Sequence, residues 1–267
     1  MRLMLSLCLL AFAANTCAAP RVEKVSWKDA GKNFDGVLVW DDASTTQRPG
    51  LVMVPNWYGV NEQAIAKAQT LAGSEYVILL ADVYGRGIRP TSASEAGKAV
   101  GAATADPAAL RARASAALAT LRAAAGKTPL DVERIGAIGF CFGGMVALEL
   151  ARSGADIDGV ATFHASLGTS MPAASATFKT PVLVMNGADD KNVSDESIAA
   201  FETEMRQADA DWQFVNYGGA VHCFAEPDET GAANANCKFH EPSYRRGVEA
   251  MNHFFAATFG EPAAAAQ

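Results

Sequence analysis

Three residue types, in one order along the chain, could carry nucleophilic chemistry. Gly139-Phe140-Cys141-Phe142-Gly143 has the spacing of a strand-to-helix elbow that presents a nucleophile, here with a thiol at its centre. A side chain at such a turn sits on strained backbone, so its neighbours must be small, as Gly139 and Gly143 are. The amides opening the following helix then favour negative charge on the sulfur or on an oxyanion beside it. A nucleophile needs a base, and the base needs an orienting group. Gly187-Ala188-Asp189-Asp190-Lys191-Asn192-Val193 follows a later strand pattern and supplies the acid; its spacing selects Asp190 over Asp189. Gly218-Gly219-Ala220-Val221-His222 supplies one histidine on a glycine-rich loop. Cys141, Asp190 and His222 therefore stand in the order nucleophile, acid, base. His164 closes another strand pattern and could line the same site; a hydrogen-bonded structural histidine is the competing reading. His240 and His253 read as surface or helix residues.

Side chains so far apart in sequence need a rigid frame. Apolar runs of strand length lie at 35–40, 50–55, 76–81, 134–140, 157–163, 181–186 and 212–217. Several are unbroken Val, Ile and Leu, as in strands buried on both faces of a parallel sheet. Helical patterns lie between them at 62–72, 106–125, 145–153, 195–208 and 242–259. Asp106-Pro107 is a start signal, a capping side chain followed by proline at the first helical position. The alternation predicts an α/β fold: a doubly wound, mostly parallel sheet with helices on both faces. Ligands of such sheets bind outside the carboxyl ends of the strands, where Cys141, Asp190 and His222 would all emerge.

The chain has 267 residues and a formal net charge of -7. That length suits one core, and the acidic balance argues against nucleic acid or an anionic membrane surface as partner. Arg2, an apolar run at 3–14 and small residues at Thr16, Ala18 and Ala19 read as a secretory signal over residues 1–18. Residues 19–261 would then form one domain, followed by an alanine-rich tail at 262–267. The mature protein is expected in the periplasm or outside the cell, as a monomer with no membrane association.

Cleavage would leave Cys141, Cys223 and Cys237, an odd number for an oxidising compartment. The elbow needs its sulfur free, so Cys223 and Cys237 are expected to pair across a loop with no strand or helix pattern. A Cys141–Cys223 bridge, an oxidised and inactive form, and three free thiols are the alternatives. A different use of the same residues is a zinc or redox site built on Cys223, Cys237 and His240.

Across nearly all of the mature chain the sequence resembles the dienelactone hydrolase family of α/β-hydrolases. The resemblance runs through Pro55-Asn56-Trp57-Tyr58-Gly59-Val60-Asn61, Ala81-Asp82-Val83-Tyr84-Gly85-Arg86, the Cys141 elbow and Gly219-Ala220-Val221-His222. It implies a Cys141–His222–Asp190 hydrolase that forms an acyl-cysteine on activated esters, lactones or thioesters, with no cofactor and no metal. It implies an oxyanion hole from the backbone N–H groups of Trp57 and Phe142, and a substrate carboxylate held by Arg86. Two positions depart from the family. Asn56 replaces a glutamate that handles the resting thiol, and Glu226 replaces a second carboxylate-binding arginine, so dienelactone itself is not the expected substrate. A small-molecule binding protein of the same fold, with a damaged site, is the reading these departures leave open.

Overall fold

The computed structural model describes residues 20–260. The signal sequence expected at 1–18 and the tail at 262–267 lie outside the described residues. In chain order the strands are β1 (Arg21–Asp29), β2 (Lys32–Trp40), β3 (Arg48–Val54), β4 (Val77–Leu80), β5 (Leu130–Phe140), β6 (Gly159–Phe163), β7 (Val182–Gly187) and β8 (Trp212–Tyr217). The helices are α1 (Glu62–Ala72), α2 (Ala93–Thr104), α3 (Pro107–Arg122), α4 (Phe142–Arg152), α5 (Asp195–Gln207) and α6 (Glu241–Thr258).

The strands form one eight-stranded sheet in the order β1-β2-β4-β3-β5-β6-β7-β8. β1 and β2 pair antiparallel, as do β2 and β4; every pairing from β4 to β8 is parallel. Alternation along each strand divides the core. Leu38, Trp40, Val52 and Val54 face α3, α4 and α5, while Val37, Val39, Leu51 and Met53 face α1 and α6. Such strands are unbroken apolar runs because water reaches neither face, and each fully buried Leu or Phe contributes about 1.5–3 kcal/mol.

Helix starts follow the predicted chemistry. The Asn61 side chain accepts from the Ala64 N–H at 2.8 Å, and Asp106 caps α3 through the Ala109 N–H at 3.0 Å. Two elements were not anticipated. β1 is an edge strand with most residues exposed, and α2 is rich in Ala and Gly and buries only Ala96 and Ala103. Neither has an apolar face wide enough to set a periodicity. Of the boundaries that move, one bears on the site: α4 starts at Phe142, immediately after Cys141, so Gly143 and Gly144 are helical. A Cβ on Gly143 would lie 2.1 Å from the carbonyl oxygen of Val54. Glycine there lets the helix press against β3.

Candidate active site

The turn between β5 and α4 puts Cys141 at φ 54°, ψ -120°, a left-handed conformation that costs a non-glycine residue on the order of 1–3 kcal/mol. The turn is held from both sides. The Cys141 N–H donates to Phe163 O at 3.0 Å, and its carbonyl accepts from the Gly144 N–H at 3.0 Å. Gly139 is required for closure, since a Cβ there would sit 2.1 Å from Gly143 O.

Two loops at the same end of the sheet complete a hydrogen-bonded row. His222, after β8, places Nε2 3.2 Å from Cys141 Sγ. Its Nδ1 lies 2.7 Å from Oδ2 of Asp190, which follows β7. Asp190 is buried, and its other oxygen accepts from the Asn192 N–H at 2.8 Å and from Asn236 Nδ2 at 3.4 Å. Asp189 is exposed. Burial alone would lower the His222 pKa. The hydrogen bonds to Asp190 and to Cys141, with the charges of both, outweigh it and push the imidazole up to about 10.

Trp57 lines the cavity over Cys141 and Phe142 follows that cysteine in the chain, and among the described residues no backbone acceptor takes up either N–H. Both are braced by Tyr84. Its hydroxyl donates to the Trp57 carbonyl at 2.8 Å, and its ring stacks on Phe142 with centroids 5.3 Å apart. A cavity of about 180 Å³ opens over Cys141, lined among others by Asn56, Trp57, His164, His222 and Glu226. Asn56 faces it with its amide oxygen already taken, accepting from the Tyr58 N–H at 3.1 Å.

His164 is fully buried at the wall of this cavity, with φ 42° and its ring edge-on to His222 at a centroid distance of 5.0 Å. The hydrogen-bonded structural role considered for it does not hold: among the described residues, neither ring nitrogen has a hydrogen-bond partner. Burial first, then the positive charges of His222 and Lys67, depress its pKa well below the usual value, so it is neutral. Its Nε2 lies 3.6 Å from Glu226 Oε1, too far for a hydrogen bond and not an ion pair with a neutral ring.

Sequence reasoning passed over Lys67. It lies on the buried face of α1 with Ala64, Ala68 and Leu71, the one charged residue in an apolar stripe, and that mismatch was legible. Its ammonium pairs with Glu226 and sits 4.1 Å from the centre of the Phe140 ring. Glu226 therefore stands at the site of the expected arginine with its own internal cation.

Two expectations are corrected. Arg86 does not line the cavity over Cys141. Its guanidinium grips Asp35 at 2.8 and 2.7 Å beside a separate groove formed with β1 and β2, half-exposed, because Asp35 offers a bidentate carboxylate closer at hand. The zinc use of Cys223, Cys237 and His240 also fails. Cys223 and Cys237 are joined in a disulfide with an S–S length of 2.04 Å, and among the described residues Cys141 is the free thiol. His240 immediately precedes α6, its Nδ1 2.8 Å from Ser243 Oγ. A different group can hold a metal: Cys141, His164 and His222 offer ligand atoms within 4.8 Å of one another.

Comparison with known proteins agrees with this architecture. The family model for the dienelactone hydrolase family matches residues 34–258. A solved structure described as m3DLH is 36% identical, superposes with a TM-score of 0.83, and is covered over 100% of its length by 91% of this chain. A dienelactone-hydrolase-like promiscuous phosphotriesterase from metagenomic libraries is 33% identical with the same TM-score of 0.83, over 91% of this chain and 100% of that one. A probable 2-oxo-3-(5-oxofuran-2-ylidene)propanoate lactonase of Bradyrhizobium is 26% identical over 76% of this chain and 84% of its own. With a parallel sheet, an elbow cysteine and a histidine–aspartate pair at its carboxyl end, the chain belongs to the dienelactone hydrolase family and is a hydrolase of ester and lactone bonds.

Proposed function

We propose that the protein hydrolyses activated carboxylic esters, lactones or thioesters through an acyl-cysteine on Cys141. The observation that carries this is the unbroken row from Sγ through Nε2 and Nδ1 to Oδ2, at 3.2 and 2.7 Å. His222 Nε2 holds the proton of Sγ, so sulfur attacks the carbonyl carbon as a thiolate beside the imidazolium that Asp190 supports. The Trp57 and Phe142 N–H groups take the resulting oxyanion. When the tetrahedral carbon collapses, its bond to the leaving oxygen or sulfur breaks, and His222 returns the proton to that atom. A water then attacks the thioester, gives its proton to His222, and frees the acid and the thiol. Asp190 keeps the imidazole in the right tautomer and balances its charge.

Sulfur narrows the substrate class. A thiolate is a better leaving group than an alkoxide, so an unactivated ester expels the enzyme from the tetrahedral intermediate. Lactones with enol leaving groups and thioesters do not, and the similarity to a lactonase is in line with this. Among the described residues, no lysine or arginine lines the cavity over Cys141 to meet a carboxylate-bearing substrate: nearby Lys67 is taken by Glu226, and Arg86 lies elsewhere, held by Asp35. The substrates are therefore neutral or cationic near the reacting carbonyl. All residues of the row come from one chain, so a monomer suffices. Export to the periplasm or exterior completes the proposal, and the Cys223–Cys237 disulfide supports it, since such bonds persist in oxidising compartments.

Intact-mass analysis after brief exposure to an aryl ester, an enol lactone and a thioester tests the reading. One acyl group on Cys141 is expected, with Cys141→Ala losing on the order of 10³-fold or more in kcat/KM while remaining folded. Turnover without an adduct, or an active Ala variant, would refute the acyl-cysteine.

A further inference from the structure

We propose that Cys141, His164 and His222 form a zinc-binding site whose occupancy blocks hydrolysis. Their ligand atoms lie within 4.8 Å of one another, and Sγ is 3.2 Å from His222 Nε2. With Zn–S near ~2.3 Å and Zn–N near ~2.0 Å, adjacent ligands of a tetrahedral zinc are about 3.5 Å apart. One edge of the tetrahedron is thus already formed. A shift of about 1 Å in the His164 ring supplies the third corner within that spacing.

His164 otherwise lacks an explanation. Buried polar groups are normally hydrogen-bonded, yet this fully buried ring leaves both nitrogens without a partner at the wall of the cavity. The carboxylates behind the two imidazoles strengthen the assignment, because a metal-bound histidine usually donates its other N–H to a carboxylate or carbonyl. His222 Nδ1 already has Asp190 at 2.7 Å. Glu226 Oε1, itself unpartnered, faces His164 Nε2 at 3.6 Å. A His164 ring that donates from Nε2 to this oxygen leaves Nδ1 for the metal.

One thiolate and two imidazoles suit Zn²⁺ and exclude the oxygen-seeking Mg²⁺ and Ca²⁺. The fourth position opens on the 180 Å³ cavity, where water can complete the shell. Binding forms one Zn–S and two Zn–N bonds, and the proton shared by Sγ and His222 Nε2 leaves to solvent. The same two lone pairs serve attack and proton transfer, so the loaded protein cannot start the reaction.

Calorimetric titration of Zn²⁺ into metal-stripped mature protein should give one equivalent at this site. His164→Phe, which keeps an aromatic ring in the space, should weaken it by about 100-fold and raise the zinc concentration that inhibits hydrolysis in proportion. X-ray absorption on the zinc-loaded unaltered protein should find one sulfur and two imidazoles around the metal. That measurement decides the matter even where the variant misfolds. Zinc without sulfur in its shell, or undiminished affinity in a folded His164→Phe protein, would overturn the site. Because binding is read without turnover, failure to hydrolyse any ester would count against the acyl-cysteine reading and leave this test intact.

Discussion

Asp190 and Asp189 are adjacent in sequence, yet one side chain meets His222 and the other meets water. Asp190→Asn removes the charge opposite an imidazolium and favours the wrong tautomer, so kcat should fall on the order of 10³–10⁴-fold; Asp189→Asn should change it less than about twofold. Steady-state kinetics on both variants checks this. His222 itself has a folded-state pKa raised from 6.5 to about 10. A raised pKa stabilises the fold fully below the unfolded value and loses that contribution as pH climbs through the folded one. The melting-temperature advantage of the protein over His222→Gln should therefore be largest below about pH 6.5 and shrink towards pH 10; a gap that stays flat would mean the ring is neutral throughout. Arg86 makes the opposite kind of prediction. Held by Asp35 away from the cavity, its replacement by alanine should leave the ratio of kcat/KM for neutral and acidic esters unchanged. A selective loss on acidic esters would restore it as a carboxylate-binding residue.

The elbow works as an element because β5, α4 and β3 approach more closely than any side chain permits. Gly143→Ala would place a methyl 2.1 Å from Val54 O and 2.3 Å from Pro55 O, both backbone atoms that cannot turn aside. Denaturant unfolding should find a loss of about 3 kcal/mol or more, and hydrolysis should fall with it because Phe142 and Cys141 ride on the same turn. Gly97 in α2 provides the contrast, since nothing lies within 4 Å of a Cβ there. Gly97→Ala should stabilise the helix by up to about 1 kcal/mol.

Across the whole molecule, the Cys223–Cys237 bridge ties the base to the loop that leads into α6. His222 and Cys237 pair as an isolated bridge, the Lys238 N–H donates to His222 O at 3.0 Å, and Cys223 holds a left-handed φ of 63°. Replacing both cysteines by serine opens a loop with a sequence separation of 14 and should cost about 3 kcal/mol, or roughly 6–12 °C in Tm for a domain of this size. Activity should fall before the fold melts, since His222 loses its anchor. Equal loss of activity and structure on a thermal ramp would show that the bridge holds the molecule and not the base. Thiol titration of the unreduced, denatured protein after removal of residues 1–18 should find one reactive thiol, on Cys141.

The sequence by itself determined the sheet, the elbow and the order of its partners. Buried parallel strands must be apolar throughout, a tight strand-to-helix turn must carry glycines, and caps such as Asp106 mark helix starts; each is a local requirement written in adjacent residues. Strand register, and the elements without an apolar face, were not legible: β1 is held by its hydrogen-bond ladder to β2, and α2 buries only Ala96 and Ala103. Only the tertiary structure decided what the charged residues do. Arg86 lies close along the chain to the site loops but is claimed by Asp35 from β2, while Lys67, far from Glu226 in sequence, is buried against it. A side-chain ion pair depends on which carboxylate is nearest in space, and no spacing within one strand or helix encodes that distance. The same holds for His164: its place at the end of β6 was readable, but its burial without a partner beside Cys141 and His222 appears only once the sheet is assembled.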